Sequence, residues 1–174
     1  MARKELTVDV SPLHWVAVWT RSRHERFVRD QLVEKDVEVF LPLMKVPSQR
    51  KDRHKTVDVP VFPGYLFAHI PLNDGYAIKT TRGVVQILGS LPGVYTAVPD
   101  EQIAYVRTLV ESQLPIDPHP YLKVGSVVRV RKGPLKGIEG ILIEKRNHWR
   151  IVVSVELLGK SISAEVSADQ IEAI

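Results

Sequence analysis

The apolar positions near the start of the chain alternate with a period of two and then change to a helical period. The stretch HWVAVWT alternates in the way that a half-buried β-strand does. The following stretch, SRHERFVRDQLVEK, predicts an α-helix with Phe27, Val28 and Leu32 on one face. Ser22 and Glu25 have the spacing of a capping box at its start. We therefore predict a strand followed directly by an amphipathic helix.

Further strand-like and helical segments complete the first part of the chain. VEVFLPLMKV and VDVPVFPGYLFAHI are predicted strands, and the polar, net positive stretch PSQRKDRHKT between them predicts a mobile arm. A short helix in NDGYAIKTTRGV capped by Asn73 or Asp74, a strand in VVQIL and a last helix capped by Asp100, with Ile103, Val106 and Val110 inward, come next. This order predicts an α+β domain, in which an antiparallel sheet carries helices on one face.

The last third of the chain has a different character. Three prolines in LPIDPHP, residues 114–120, predict a linker, because proline interrupts helices and sheets alike. The stretch after it is rich in β-branched residues and turns, which is typical of a small all-β barrel. Trp149 shares its strand parity with Ile151 and Val153, so we expect its ring in the barrel core. Few contacts are expected to cross the linker, so the orientation of the barrel should not be fixed.

The stretch VFPGYLF contains a break inside an apolar run. Pro63 cannot donate a hydrogen bond to a sheet and Gly64 weakens a strand, yet the rings of Phe62, Tyr65 and Phe67 surround the pair. Tyr65 and Phe67 alternate onto one face. Two interpretations stay open. Either the bend gathers the rings for a partner, or the rings close the core of the domain, as aromatic runs usually do.

Composition limits the chemistry that the chain can perform. The 174 residues include no cysteine, and 24 Lys and Arg stand against 20 Asp and Glu, for a net charge of +4. The missing cysteines exclude disulfides and thiolate sites and agree with a cytoplasmic location. No apolar run approaches the roughly 20 residues of a membrane-spanning helix. No constellation of catalytic or metal-binding side chains is found, so we expect neither an enzyme nor a cofactor.

Three motifs in order resemble those of the NusG family of transcription elongation factors. They are the tryptophan-led WVAVWTRSRHE, the stretch VFPGYLF, and VVRVRKGPLKGIEGILIE, which is similar to the KOW motif. Within the family, RSRHE, VEVFLPL and TTRGVVQIL look closer to the specialised RfaH-like and UpxY-like antiterminators. The resemblance implies an N-terminal domain over residues 1–113 with an RRM-like sheet, the linker 114–120, and an SH3-like KOW barrel over residues 121–174.

The resemblance also implies that the N-terminal domain binds RNA polymerase at the β′ clamp helices. The positions that match the family's apolar patch for these helices are Trp19, Phe62, Tyr65 and Phe67. A helix laid on an aromatic groove is held by burial and shape and needs no catalysis. The resemblance thus favours the partner interpretation of the aromatic rings.

A second implied partner is nucleic acid. In RfaH-like relatives, the positions that match Arg21 and Arg82 belong to a basic surface that contacts the non-template DNA strand of the transcription bubble. Arg23 and Lys79 lie near these positions in the sequence and are further candidates for nucleic-acid binding. Guanidinium groups suit this role because they pair with phosphates and stack on unpaired bases. The competing interpretation is that these cations are ordinary solvated surface residues.

The KOW barrel is implied to recruit other partners. Housekeeping members of the family carry a phenylalanine in a hairpin that meets a ribosomal protein or the termination factor Rho. In this chain the stretch ELLGKS places Leu157 or Leu158 there. Leucine keeps the apolar character but loses ring area, so the choice of partner can differ. We expect a monomer with no membrane partner.

The leading functional hypothesis is a specialised antiterminator that binds the elongating polymerase and modulates pausing. Two alternatives stay open, a housekeeping cofactor of pausing and Rho-dependent termination, and a free or ribosome-associated RNA-binding protein. Against the RNA-binding alternative, FPGYLFAHI lacks the glycine and basic pattern of an RRM motif. PLNDGYAIKTT lacks the His-Thr-Thr run with which RfaH-like proteins contact the polymerase β gate loop, so that contact is not expected.

Overall fold

The computed structural model describes residues 11–48, 56–91, 93–114, 116–120, 125–145, 148–167 and 170–174. Two larger antiparallel sheets, one before residue 114 and one after it, and a two-stranded sheet make up the β-structure of these residues. The mixture of helices and sheets confirms the predicted α+β class. Most of the predicted basic arm, at 49–55, lies outside the described residues.

The N-terminal part is built around one sheet. Its strands run in the order β2, β5, β1, β6, with β7 also paired to β1, while β3 and β4 pair with each other as the two-stranded sheet. The strands are β1 (Leu13–Thr20), β2 (Glu38–Phe40), β3 (Leu43–Pro47), β4 (Thr56–Pro60), β5 (Tyr65–Pro71), β6 (Val84–Ile87) and β7 (Ala97–Val98). The helices are α1 (Glu25–Glu34), α2 (Tyr76–Lys79) and α3 (Asp100–Glu111). The predicted Asp100 cap is wrong, because Asp100 is the first residue of α3 and the N-cap position is Pro99, without a side-chain cap.

Helices cover both faces of this sheet. Val16 and Val18 of β1 belong to an apolar cluster with α1 and α2. Trp15 and Ala17 point the opposite way and belong to a second cluster, which includes α3. Successive side chains of a strand alternate between the two faces, and β1 is apolar at both parities. The expectation that the helices lie on one face is therefore corrected.

The C-terminal part is a six-stranded antiparallel sheet in the order β13, β9, β10, β11, β12, β8. Its apolar interior is formed from alternate residues of β9, β11 and β12, which include Val128, Val130, Ile151, Val153 and Ile162. The elements are β8 (Ile116–Pro120), β9 (Ser126–Val130), β10 (Glu139–Lys145), β11 (His148–Val155), the 3-10 helix η1 (Glu156–Leu158), β12 (Lys160–Glu165) and β13 (Ile171–Ala173).

Most of the proline-rich segment 114–120 is a strand and not a free linker. Residues Ile116–Pro120 form β8, which pairs with β12 at the edge of the C-terminal sheet. An edge strand accepts proline because one side of its backbone needs no hydrogen-bond donor. Pro118 and Pro120 lie opposite Ile162 and Lys160. The prolines therefore limit the sheet at this edge instead of interrupting it.

The C-terminal sheet packs against the N-terminal part. Val106 of α3 and Val153 of β11 belong to the same hydrophobic cluster, and these two elements are in contact. The backbone N–H of Glu156 donates a hydrogen bond to Oε1 of Gln102 across this contact, at 3.4 Å. The expectation that few contacts cross between the two parts is corrected, because apolar side chains of α3 are covered by the barrel.

Tyr105 of α3 belongs to the same contact. Burial raises the pKa of its hydroxyl, and the carboxylates of Glu139 and Glu101 raise it further. The guanidinium of Arg129 and the backbone N–H of Glu139 on β10 lower this pKa in part, but the net shift is upward. The tyrosine therefore stays protonated through the neutral pH range and adds no charge to the contact.

Trp149 does not lie in the barrel core. Its side chain is 44% exposed, whereas Ile151 and Val153, which share its parity on β11, are buried. Parity indicates the face to which a side chain points but not how far along the strand the interior extends. Trp149 lies at the end of β11, beyond the packed interior, and the prediction for its ring is wrong.

Pro63 and Gly64 form a tight turn that directs the chain from β4 into β5. The N–H of Tyr65 donates to the carbonyl oxygen of Phe62 at 3.0 Å, and Gly64 has φ +85°. Proline followed by a glycine with positive φ is the pattern of a type II turn. This turn moves the chain from the β3–β4 pair into the main sheet, which explains the break in VFPGYLF.

Glu25 holds this turn in place. Its side chain is only 6% exposed, and Oε1 accepts a hydrogen bond from the N–H of Gly64 at 2.7 Å. The carbonyl oxygen of Gly64 in turn accepts from the N–H of Thr20 at 2.8 Å. The predicted capping box of Ser22 and Glu25 is wrong, because α1 begins at Glu25 without a side-chain cap and the carboxylate serves a distant segment.

We expect Glu25→Ala to lower the free energy of unfolding by about 1–3 kcal/mol, because the partly buried N–H of Gly64 loses its acceptor. Glu25→Gln keeps an acceptor oxygen and should cost less. Urea unfolding followed by tryptophan fluorescence measures both variants, with Glu34→Ala at the exposed end of α1 as the matched control. Equal losses for Glu25→Ala and Glu34→Ala would contradict this role.

Candidate functional site

The four aromatic candidates differ in exposure. Phe62 and Phe67 are buried, with exposures of 2% and 0%, whereas Trp19 is 41% exposed. Tyr65 is half-buried, and Nζ of Lys160 on β12 lies 5.7 Å from the centroid of its ring. Trp19 and Tyr65 are direct neighbours across the β1–β5 pair. The structure thus offers Trp19 and part of Tyr65 as accessible aromatic surface.

The two buried rings belong to an aromatic group inside the cluster that the barrel shares. Phe67 makes an edge-to-face contact with Phe62, with ring centroids 6.2 Å apart, and stacks on Phe40 at 6.1 Å. In this arrangement both rings close the core, as the second interpretation of VFPGYLF proposed. Their assignment to a partner surface stays a prediction.

An open cleft of about 690 Å³ joins the exposed tryptophan to basic side chains. Trp19, Arg21, Arg23 and Arg26 line it together with Gly64 of the turn. One Nη of Arg26 donates to the backbone carbonyl of Asp58 at 2.7 Å, which joins α1 to β4. Arg21 and Arg23 are exposed at the junction between β1 and α1. Aromatic and cationic surface therefore adjoin at this end of the sheet.

The second basic segment lies beside the first. The N–H of Arg21 donates to the carbonyl oxygen of Gly83 at 2.8 Å, so Arg21 and Arg82 come to the same end of the sheet. Gln31 of α1 donates to the carbonyl oxygen of Arg82 at 3.1 Å. Both arginines are exposed. The structure thus brings together the two arginines that the resemblance singled out.

Lys35 fixes the start of this segment. Its Nζ donates to the carbonyl oxygen of Ala77 at 3.0 Å and to Oγ1 of Thr81 at 2.8 Å. Carbonyl groups at the end of α2 lack helical partners, and a lysine that donates to them stabilises the helix end. Lys79 points to a different neighbour, since its Nζ lies 5.3 Å from the centroid of the Tyr95 ring. Lys79 is therefore exposed but turned toward the aromatic ring.

Three residues that shape this region were not among the predicted site residues. Glu25 supports the turn before Tyr65, and Gln31 and Lys35 hold the segment that carries Arg82. Gln31 lies on α1, and Lys35, four residues later, is the residue at which the helix ends. Polar residues at this spacing are common on solvated helix faces, so no signal in the sequence separates them from their neighbours.

The two leucine candidates of the barrel lie in η1. Leu157 and Leu158 are half-buried and pack against the cluster shared by the two parts of the chain. Gly159, which follows, has φ +59° and ends the 3-10 helix in the left-handed region. The apolar tip predicted from ELLGKS is therefore partly used inside the molecule.

Two further observations concern the described residues alone. Within those residues, no group of three or more His, Asp or Glu side chains is arranged to hold a metal ion. None of the helices in the same ranges is long and apolar enough to cross a membrane.

The structure defines a class of protein in which an α+β domain with adjoining aromatic and basic surfaces is followed by a small six-stranded antiparallel sheet. The family model for the transcription termination factor nusG matches residues 13–107. This match spans more than half of the chain, and the chain belongs to the NusG family. The predicted resemblance is confirmed, and the family supports a role in transcription termination or antitermination.

Similar proteins cover nearly the whole chain. The transcription termination/antitermination protein NusG of Staphylococcus aureus is 27% identical over 183 residues, 96% of this chain and 99% of the relative. The protein of the same name from Pseudomonas aeruginosa is 25% identical and covers 92% of this chain and 98% of its own. The solved structure "Domain interaction in Thermotoga maritima NusG" shares the fold, with a TM-score of 0.56 and 21% identity over 93% of this chain and 97% of that one.

The difference in exposure between Phe67 and Trp19 predicts different effects on stability. Phe67→Ala removes a fully buried ring and should lower the free energy of unfolding by about 3–5 kcal/mol. Trp19→Ala removes an exposed ring and should cost about 1 kcal/mol or less. Thermal unfolding followed by circular dichroism compares the two. If Phe67→Ala were as stable as Trp19→Ala, Phe67 would not be part of the core.

Proposed function

We propose that this protein binds RNA polymerase at the β′ clamp helices through Trp19 and Tyr65 and modulates pausing as a specialised antiterminator. Arg21, Arg23 and Arg82 contact the non-template DNA strand of the transcription bubble in this proposal. The observation that carries it is that the exposed Trp19 lines one cleft together with Arg21 and Arg23. A protein that bridges polymerase and its exposed DNA strand needs these two surfaces side by side.

The exposure of the aromatic side chains decides which of them a partner reaches first. Trp19 is accessible, whereas Tyr65 is approached by Lys160 of the barrel and Phe67 is buried. A partner helix that covers the whole Tyr65 ring therefore displaces Lys160. A partner that reaches Phe67 also opens the contact between the sheet and the barrel. Phe62 and Phe67 accordingly support the patch from beneath while the two parts are in contact.

The basic surface supports the second half of the proposal. Arg21 and Arg82 are exposed and lie at one end of the sheet, held by backbone hydrogen bonds around Gly83 and by Gln31. Phosphate contacts need mobile cations near one another on an accessible surface. Lys79 takes part less directly, because its ammonium group lies near the Tyr95 ring.

The barrel supplies a third contact in this proposal, through Leu157 and Leu158, for a second protein such as a ribosomal protein or Rho. Mapping the chromosomal occupancy of the protein tests the specialised role. Enrichment on a few long operons supports a specialised antiterminator, and enrichment on all transcribed genes supports the housekeeping alternative.

Tyr65→Ala should weaken binding to RNA polymerase roughly thirtyfold, because an aromatic anchor at the centre of an interface contributes about 2 kcal/mol or more. Tyr76→Ala is the matched control, since Tyr76 is an exposed tyrosine on α2, with 76% exposure. Biolayer interferometry with purified polymerase measures both. Unchanged binding by a folded Tyr65→Ala variant would reject the assignment of the aromatic surface.

Arg21→Ala combined with Arg82→Ala should weaken binding to assembled elongation complexes more than binding to free polymerase, because the ligand of these arginines is the exposed DNA strand. The difference should shrink as salt is raised, since phosphate contacts then contribute less. Arg131→Ala, at an exposed arginine of the C-terminal part, serves as the control. Equal losses on both targets would instead place the two arginines in the polymerase interface.

A further inference from the structure

A cation lies over aromatic side chains on the face of the main sheet that α3 covers. The guanidinium carbon of Arg107, on α3, lies 4.8 Å from the centroid of the Phe40 ring and 5.9 Å from that of Trp15. Phe40 is half-buried and Trp15 is buried, whereas Arg107 is exposed. The arginine side chain therefore lies over two rings and stays accessible to solvent.

The rings below Arg107 are continuous with the proposed polymerase surface. Phe40 lies opposite Phe67 in the β2–β5 pair, and their rings stack with centroids 6.1 Å apart. Tyr65 lies two positions before Phe67 on β5, and residues two apart in a strand point to the same face at a spacing of about 7 Å. Arg107 and the accessible part of Tyr65 thus lie on one face of the sheet.

Stacking prepares the guanidinium of Arg107 for a carboxylate. A ring below one face of a guanidinium leaves the N–H groups along its edge available, and these groups match the two oxygens of a carboxylate. The stacked side chain is also restricted before a partner arrives, which lowers the entropy lost on binding. Arginine is among the residues enriched in the hot spots of protein interfaces. Arg107 is therefore arranged in advance to pair with an acidic group.

The carboxylates near Arg107 leave it available. The ion pairs found among the described residues do not include Arg107. Glu38, beside Phe40 on β2, is instead paired with Nδ1 of His69 at 2.8 Å. A second cation lies over a ring of the same face, since Nζ of Lys160 is 5.7 Å from the centroid of Tyr65. Cations over the rings make this face complementary to a partner with acidic side chains.

We propose that Arg107 is a specificity contact for RNA polymerase and pairs with an acidic side chain that the polymerase places beside the aromatic surface. Arg107 is accessible while the barrel covers Phe67, so this contact does not require the barrel to move. A basic or purely apolar partner would bury the guanidinium without an acceptor and would be disfavoured. This inference rests on the proposed polymerase binding and adds to it the charge of the partner surface.

Biolayer interferometry with the full-length protein and purified RNA polymerase tests the inference. Arg107→Gln should weaken binding about tenfold, as expected for loss of one hydrogen-bonded charge pair at an interface. Arg107→Lys keeps the charge but loses the planar fork, so its affinity should lie between those of Arg107→Gln and the unsubstituted protein. Equal binding by the unsubstituted protein and a folded Arg107→Gln variant would overturn the inference.

Charge reversal separates the proposed contact from a purely structural role. If Arg107 only holds α3 on the sheet, Arg107→Glu binds polymerase as well as Arg107→Gln does, and both lower the melting temperature seen by circular dichroism. If Arg107 meets a carboxylate, Arg107→Glu binds more weakly than Arg107→Gln, because two negative charges repel each other. Equal affinities of these two variants would therefore reject the contact.

Glu111 provides a test of sign on the same helix. Its exposed carboxylate lies one turn after Arg107, so Glu111→Gln removes a negative charge beside the proposed contact. Binding to an acidic partner should become at least as tight as before, whereas weaker binding would indicate a basic partner surface and overturn the inference. Arg131→Gln, at an exposed arginine of the C-terminal part, is the matched control and should leave binding unchanged.

Two comparisons distinguish failure of this inference from failure of the proposed function. If Tyr65→Ala weakens polymerase binding and a folded Arg107→Gln variant does not, the aromatic surface holds and the arginine contact is rejected. If the unsubstituted protein does not bind polymerase, both are rejected. A loss in Arg107→Gln that appears with elongation complexes but not with free polymerase would assign Arg107 to a nucleic-acid phosphate and reject the carboxylate.

Discussion

The hydrogen bond from the N–H of Gly64 to the buried carboxylate of Glu25 joins segments that are far apart in the sequence. Glu25 begins α1, Gly64 lies in the turn before β5, and the Gly64 carbonyl accepts from Thr20 at the end of β1. A buried carboxylate is tolerated only where it is hydrogen-bonded, so this geometry is strongly specified. This hydrogen bond fixes the end of β1, where Trp19 lies, and the start of β5, where Tyr65 lies. The exposed Arg21 and Arg23 follow β1 directly.

The sequence predicted the elements whose buried residues recur at a regular spacing, such as β1, α1 and α3. It failed where a contact with a distant segment decides the outcome. Glu25 has the spacing of a capping residue, yet Gly64, 39 positions away, takes its hydrogen bond. Phe27 lies beside Val28 on the helix, but the sheet covers only part of that side, so one apolar residue is buried and the other is not. A helical period indicates a face and not its width.

The same limit applies to the contact between the two parts of the chain. The prolines of 114–120 indicated an interruption, but Pro118 and Pro120 fit an edge strand of the C-terminal sheet. Nothing in the local pattern of α3 indicates that the barrel covers it, because inward apolar residues of a helix do not show what they pack against. For the same reason the sequence indicated that Phe67 lies on an aromatic face but did not indicate that the ring is fully buried.

The contact between the two parts of the chain affects access to the aromatic surface but not access to the basic surface. Phe62 and Phe67 lie in the cluster shared with the barrel, and Lys160 lies over Tyr65. The basic surface is assembled differently, from the end of β1, from α1 and from the segment around Gly83, and the hydrogen bonds that hold it among the described residues come from the N-terminal part. A nucleic-acid strand can therefore reach the arginines while the barrel stays in place. A protein partner that uses the complete aromatic patch must first replace the apolar contacts that the barrel makes there.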